Sequence, residues 1–336
     1  MAEERVISMY QAVAEAIGQE MERDERVFVL GEDVGVYGGI FGATTELFKK
    51  YGDERVVDTP ISEMGFVGAA VGAALEGMRP IAEVMFIDFI GACFDQVLNH
   101  FSKIHYMSGG QLKVPVVIMT AIGGGYNDAA QHSQCLYSLF GHIPGIKVVV
   151  PCTPYDAKGL MGQAIRDDNP VMYFFHKGLM GLPWMSIIDA TWAPVPEESY
   201  TIPFGVADVK REGTDATIVA VSMMVHRSLE AAEKLAEEGI SVEVIDLRTL
   251  VPLDKEAVVN SVKKTHRLLV VDEDYLSYGM SGEIAAVVAE EALDYLDMPP
   301  KRLAVPDVPI PYSNTLEDFV IPGAESIAQA VREVMG

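Results

Sequence analysis

Apolar and polar positions along this chain come in blocks that alternate between two spacings. Residues 8–23 repeat apolar side chains at helical spacing, and residues 26–30 then form a short apolar run closed by the turn Gly31-Glu32-Asp33. The same succession recurs downstream. Strands are expected over 80–86, 114–120, 146–150 and 171–175, and helices from about 62 to 75 and over 88–109 and 153–166. Strands separated by helices imply a parallel sheet covered on both faces. Between residues 178 and 203 the periodicity vanishes, and Pro183, Pro194, Pro196, Trp184 and Trp192 accumulate, as in a linker. The alternation then restarts, with strands over 217–222, 241–245, 267–272 and 303–305 and helices over 225–238, 280–296 and 324–334. The pattern predicts an α/β protein of two domains, residues 1–180 and 204–336, joined by a linker over 181–203.

One helix departs from the amphipathic pattern. Residues 64–75 read MGFVGAAVGAAL, all small or apolar, so this helix is expected to be buried on every side. Glu63 stands at its head. A buried carboxylate must find a partner or take up a proton. Two readings of Glu63 are open: a helix-start carboxylate satisfied by backbone N–H groups, or a group aimed at a ligand.

Composition narrows the class. The chain has 336 residues, 49% hydrophobic and 22% charged, which is ample for two globular cores. No apolar run reaches the roughly 18 residues of a membrane span. The acidic residues 1–5 lack the features of a signal peptide. Cys93, Cys135 and Cys152 form no CxxC pair, which fits a reducing cytoplasm and no structural zinc. The net charge of −24 argues against nucleic-acid binding. It serves either solubility or a basic protein partner.

A second chemistry-bearing stretch follows the strand that ends near Thr120. Gly123-Gly124-Gly125 would let backbone approach a ligand beyond the carboxyl end of a strand. The polar cluster Gln131-His132-Ser133-Gln134 follows, and histidine is suited to moving a proton near neutral pH. A glycine turn with a surface histidine explains the same residues. His142 sits in the apolar loop 140–145, which could line a site; His100 and His105 share one expected helix, His176, His226 and His266 lack distinguishing neighbours, and no pair has zincin-type spacing. There is no G-x-S-x-G elbow and no cysteine beside an evident base, so a cofactor carrying the difficult chemistry fits better than a nucleophilic side chain.

Six ordered motifs carry a resemblance: VLGEDVG (29–35), DTPISEMGFVGAAVGAAL (58–75), HYMSGG (105–110), AAQHSQC (129–135), PGIKVVVP (144–151) and AIRDDNPV (164–171). Together with VEVIDLRTLVPLD (242–254) and VPDVPIPY (305–312), they are similar to the β subunit of 2-oxo acid dehydrogenase E1 components. These are thiamine diphosphate enzymes of the pyruvate and branched-chain complexes, with acetoin dehydrogenase a close relative. The resemblance implies a pyrimidine-binding, transketolase-like first domain and a smaller transketolase C-terminal-like second domain. It implies that Glu63 hydrogen-bonds the cofactor's aminopyrimidine and favours its imino tautomer, and that Phe89 stacks near that ring. It implies that His132 acts on the intermediate or on its transfer to lipoamide. It also implies a potassium site built mostly of backbone carbonyls from Val116, Ala164, Ile165, Asp167 and Asn169.

The family holds the diphosphate and Mg²⁺ through a GDG motif and a later Asn-Asn, and this chain contains neither. The resemblance therefore implies that a separate α subunit supplies the metal half in an α2β2 heterotetramer, and that an E2 lipoyl acyltransferase docks on the complex. Oxidative decarboxylation of a 2-oxo acid is expected, with pyruvate favoured on AAQHSQC and HYMSGG. Acetoin cleavage is the alternative, on Phe86-Ile87-Asp88-Phe89 and His176-Lys177-Gly178-Leu179. The C-terminal part of a split transketolase fits less well, because residues 123–142 contain no arginine for a sugar phosphate. A silent interaction subunit is disfavoured by the presence of both Glu63 and His132.

Overall fold

The computed structural model describes residues 5–185 and 188–336. Most of the acidic N-terminal segment used to argue against a signal peptide, residues 1–4, lies outside the described residues. Strands are numbered in chain order: β1 (Val6–Ser8), β2 (Val27–Gly31), β3 (Val56–Asp58), β4 (Arg79–Phe86), β5 (Val117–Ile122), β6 (Lys147–Val149), β7 (Val171–His176), β8 (Trp192–Pro194), β9 (Asp208–Arg211), β10 (Ala216–Ala220), β11 (Val242–Asp246), β12 (Thr249–Val251), β13 (Leu268–Tyr275) and β14 (Lys301–Val305).

The chain divides into two compact units. The first comprises residues 1–122 and 140–204, the second 123–139 and 205–336. In the first unit the strand order is β6-β7-β5-β4-β2-β3, and every neighbouring pair is parallel. Its inner strands β5 and β7 are buried along their whole length, as a sheet covered on both faces requires. In the second unit the five-stranded order is β14-β13-β10-β11-β9, parallel except for the antiparallel edge strand β9.

Local chemistry explains where elements begin. The helix Met9–Arg23 starts at a capping box, in which Ser8 and Gln11 each accept the other's backbone N–H. The helix Pro154–Arg166 starts on Thr153 with proline in its first turn. Lys158 of that helix is buried, and its ammonium donates to Glu15 and to the carbonyls of Pro196 and Glu197.

Three expectations change. Residues 88–109 are not one helix: a 3₁₀ segment (Ile87–Cys93), a π-helical segment (Gln96–Phe101) and a short α-helix (Ile104–Met107) follow one another. Side chains compete with the ladder there, as the Ser102 hydroxyl and the Lys103 ammonium both donate to the Leu98 carbonyl. The presumed linker contains β8, which pairs antiparallel with β1. Two three-residue strands are too short to show a period. The helix Glu63–Leu75 buries Phe66, Val67, Ala70, Val71 and Ala74, but leaves Met64, Gly65, Ala69 and Gly72 exposed. Its uniform apolarity serves two faces, only one of which this chain covers.

The three cysteines are buried thiols, Cys93 and Cys152 in the first unit and Cys135 in the second. Among the described residues no helix is long and apolar enough to cross a membrane.

Candidate active site

In the first unit, three segments leave the carboxyl ends of adjacent parallel strands and bring polar groups with them, as ligand sites of parallel sheets do. Glu32 follows β2. Glu63 follows β3 through the turn 59–62, whose Thr59 N–H bonds the Gly31 carbonyl at 2.9 Å. Phe89 follows β4. Asp58 ties two of these segments together by accepting the Gly35 N–H at 2.6 Å.

Glu63 is half-buried in the first turn of its helix, where the macrodipole favours negative charge. The Ser62 side chain makes no capping bond. Burial raises the Glu32 carboxyl above its ordinary value, the nearby Glu63 charge raises it further, and the Ser62 backbone N–H offsets part of the rise. Burial pushes the Cys93 thiol up to about 12, with Glu63 again contributing. The sequence marks Glu32 only as a turn residue and Cys93 only as an unpaired thiol. The position of Glu32 directly after a strand was the available signal.

Phe89 is half-buried, and its ring lies 5.4 Å from that of Phe86, edge to face. Phe86 meets Phe41 at 5.3 Å, and the Lys177 ammonium lies 5.7 Å from the Phe86 ring centre. His176, unremarkable in sequence, is buried, and its Nδ1 accepts the Gly178 N–H at 3.0 Å.

Around Glu63 the structure leaves acceptors over. Among the described residues, Glu32 Oε1, Thr59 Oγ1 and Gln96 Oε1 are buried and find no hydrogen-bond partner. Gln96 packs on the Glu63 helix, where a Cβ on Gly68 would lie 3.5 Å from its Cγ. Buried polar atoms without partners are rare in folded proteins. A ligand carrying N–H donors on a flat ring, such as an aminopyrimidine, suits this combination of acceptors and aromatic edges.

His132 belongs to the second unit, half-buried, in the irregular segment 123–136. The glycine run ahead of it offers its N–H groups to carboxylates of its own unit. Gly124 donates to Glu273 at 2.9 Å, and Glu317 accepts from Gly125 at 2.8 Å and Asn127 at 3.0 Å. At the far end of the segment the Tyr137 hydroxyl donates to Asp272. Burial, together with the charge of Asp274, holds the Asp272 carboxyl well above the usual range.

The five residues of the expected potassium site fall into separate arrangements. The Ile165 and Asp167 carbonyls accept from the Arg79 guanidinium at 2.9 and 2.6 Å. The Ala164 carbonyl accepts the Asp167 N–H at 3.3 Å, and the Val116 carbonyl accepts the Val171 N–H at 3.0 Å. Asn169 is exposed and donates to the Asp167 carboxylate. Arg79 thus brings a positive charge to two of the carbonyls assigned to an ion.

Comparison with known proteins places the chain. Residues 5–183 match the model of the transketolase pyrimidine-binding domain, and residues 205–327 that of the transketolase C-terminal domain. The chain is 50% identical to the acetoin:2,6-dichlorophenolindophenol oxidoreductase subunit beta of Cupriavidus necator, over 98% of each chain. It is 44% identical to the pyruvate dehydrogenase E1 component subunit beta of Rickettsia felis, again over 98% of each. A solved split-gene transketolase, described as an inactive beta4 tetramer, superposes with a TM-score of 0.79 at 25% identity, covering 98% of both chains. The two domain matches in order, and identities this high over the full length, show that the chain belongs to the transketolase-like, thiamine-dependent family of E1 β subunits that includes the pyruvate and acetoin dehydrogenases.

Proposed function

We propose that this chain is the β half of an α2β2 E1 enzyme that breaks a carbon–carbon bond next to a carbonyl and passes the acyl group to the lipoyl carrier of an E2 acyltransferase. The observation that carries the reading is Glu63, a carboxylate at a helix start beyond the carboxyl end of β3, beside buried acceptors that lack partners. Acetoin is the substrate favoured by the relative at 50% identity. Pyruvate is the second reading, supported by the 44% relative and by the AAQHSQC and HYMSGG motifs. The expectation that pyruvate comes first therefore gives way to acetoin.

Thiamine diphosphate, when bound, supplies a thiazolium that stabilises the carbanion left by cleavage. This chain's own residues handle binding and protons. The Glu63 carboxylate accepts a hydrogen bond from the aminopyrimidine and so holds a proton at that ring. Burial and the Glu63 charge raise the neighbouring Glu32 carboxyl, so it holds a proton more readily than an exposed glutamate does. Phe89 gives the ring an apolar edge. His132 exchanges a proton with the reacting oxygen during cleavage or acyl transfer.

The chain lacks the GDG and Asn-Asn elements, so Mg²⁺ and the diphosphate are held by the α subunit. The exposed apolar face of the Glu63 helix, with Ile61 and Met64 uncovered, supports a subunit that needs a partner. A potassium ion would have to share the Ile165 and Asp167 carbonyls with the Arg79 guanidinium, leaving Val116, Ala164 and Asn169 as the other expected donors. A cytoplasmic location fits the three reduced thiols.

The test is co-expression with the α partner and dye-linked turnover in Mg²⁺ and thiamine diphosphate, with acetoin, pyruvate and branched-chain 2-oxo acids in parallel. Turnover of acetoin above the others is the expected result. A well-formed α–β complex inert on all three would remove the reading.

A further inference from the structure

We propose that Glu317, with Glu273 beside it, is a positioning residue for His132 and acts by fixing the backbone of the loop that carries it. The inference rests on the proposed role of His132.

Glu317 is a buried carboxylate in the short helix Asn314–Val320, far from residue 125 in sequence. One of its oxygens takes the Gly125 N–H at 2.8 Å and the other the Asn127 N–H at 3.0 Å. Glu273 takes the N–H just before them, accepting from Gly124 at 2.9 Å. Hydrogen bonds to an ionised acceptor are roughly twice as strong as neutral ones. Taking a carboxylate out of water opposes that gain, so the arrangement adds less to stability than to definition of the loop.

The loop needs such definition. Asn127 (φ 57°) and Ala129 (φ 61°) both occupy the left-handed region. Side chains with a Cβ stay there only where the surroundings hold them. The clamp also leaves no slack: a Cβ on Gly124 would lie 2.4 Å from Ile321 Cδ1 and 3.1 Å from Glu317 Oε1. The Gly123 N–H bonds the Gln134 carbonyl at 3.1 Å and closes the segment on itself, with His132 inside the closure. His132 lies five residues beyond the last clamped N–H. A shift of that backbone moves the imidazole, and a misplacement of about 1 Å lowers turnover by about 100-fold.

The experiment uses the α–β complex loaded with cofactor. Glu317→Gln keeps the shape of the side chain but turns an N–H donor toward a backbone N–H, breaking one of the two bonds. Glu317→Gln, His132→Ala and the double variant are compared for kcat and KM, and hydrogen exchange of residues 123–139 is followed by mass spectrometry. The expected result is that Glu317→Gln lowers kcat about 10- to 100-fold with KM nearly unchanged, and speeds exchange at 124–127. The double variant should then be no slower than His132→Ala alone, because both act through one group. Losses that multiply in the double variant, or an unchanged kcat in Glu317→Gln, would overturn the inference. If Glu317→Gln fails to assemble, Glu273→Gln, which disturbs only the Gly124 bond, is judged by the same criteria. Full turnover by His132→Ala would remove the role of His132 itself, and the inference with it.

Discussion

Glu83 offers a direct test of how this fold tolerates charge. It lies on β4 in the middle of the first unit's sheet, buried, and among the described residues neither carboxyl oxygen finds a hydrogen-bond partner. Gly39 and the Thr44 hydroxyl lie beside it: a Cβ on Gly39 would lie 3.1 Å from Oε2 and 3.2 Å from Thr44 Oγ1. Burial alone pushes the carboxyl from 4.5 up to about 8. At pH 7 the group is therefore a neutral acid in the folded protein and a carboxylate in the unfolded chain. The sign follows. Below about pH 4.5 both states hold the proton and pH has no leverage. Between about 4.5 and 8 only the folded state holds it, so stability falls by about 1.4 kcal/mol per pH unit. Above about 8 the fall levels off. From pH 5 to pH 8.5 the loss amounts to about 4 kcal/mol.

Glu83→Gln removes this dependence, because the amide never ionises, and any packing penalty it brings is the same at every pH. Urea unfolding of both proteins, followed by fluorescence at several pH values between 5 and 8.5, isolates the effect, since all other titrating groups cancel in the difference. The difference should move by about 4 kcal/mol in favour of the variant as pH rises. A difference constant to within about 1 kcal/mol would show that Glu83 ionises as freely in the fold as in water.

Other predictions concern the site and the packing of the first unit. Glu63→Gln in the α–β complex should lower turnover by at least about 100-fold while assembly and circular dichroism stay unchanged; near-normal turnover would take Glu63 out of the chemistry. The chain without its α partner should bind thiamine diphosphate weakly or not at all, and tight Mg²⁺-dependent binding in calorimetry would contradict the division of the site between subunits. Lys158→Met should destabilise by about 1–3 kcal/mol, because Glu15 and the carbonyls of Pro196 and Glu197 lose the ammonium that joins them. A change in urea midpoint equivalent to less than about 1 kcal/mol would mean that water replaces the ammonium.

The α/β alternation was legible in the sequence because each element is dictated locally, by period, caps and β-branched runs. Glu63 stood out because nothing else on its helix is charged. What could not be read depends on groups distant in sequence. The segment 123–139 joins the second unit through Glu273 and Glu317, 149 and 192 residues away, and no local pattern around Gly124 announces such acceptors. The exposed face of the Glu63 helix looks in sequence the same as its buried face, since apolarity does not say which chain provides the cover. Arg79 reaches the Ile165 and Asp167 carbonyls across 86 and 88 residues, so the helix end that suggested an ion holds a guanidinium that no local pattern announces.

The buried thiols give this protein a built-in clock for its own opening. Only a deprotonated, accessible sulfur reacts with an alkylating reagent, and none of the three is accessible in the folded chain. Cys93, lifted to about 12, is doubly protected. Each alkylation therefore records a moment when the surrounding structure came apart. Because Cys135 sits in one unit and Cys93 and Cys152 in the other, mass spectrometry of a timed alkylation can show whether the two halves of the chain breathe together or one at a time.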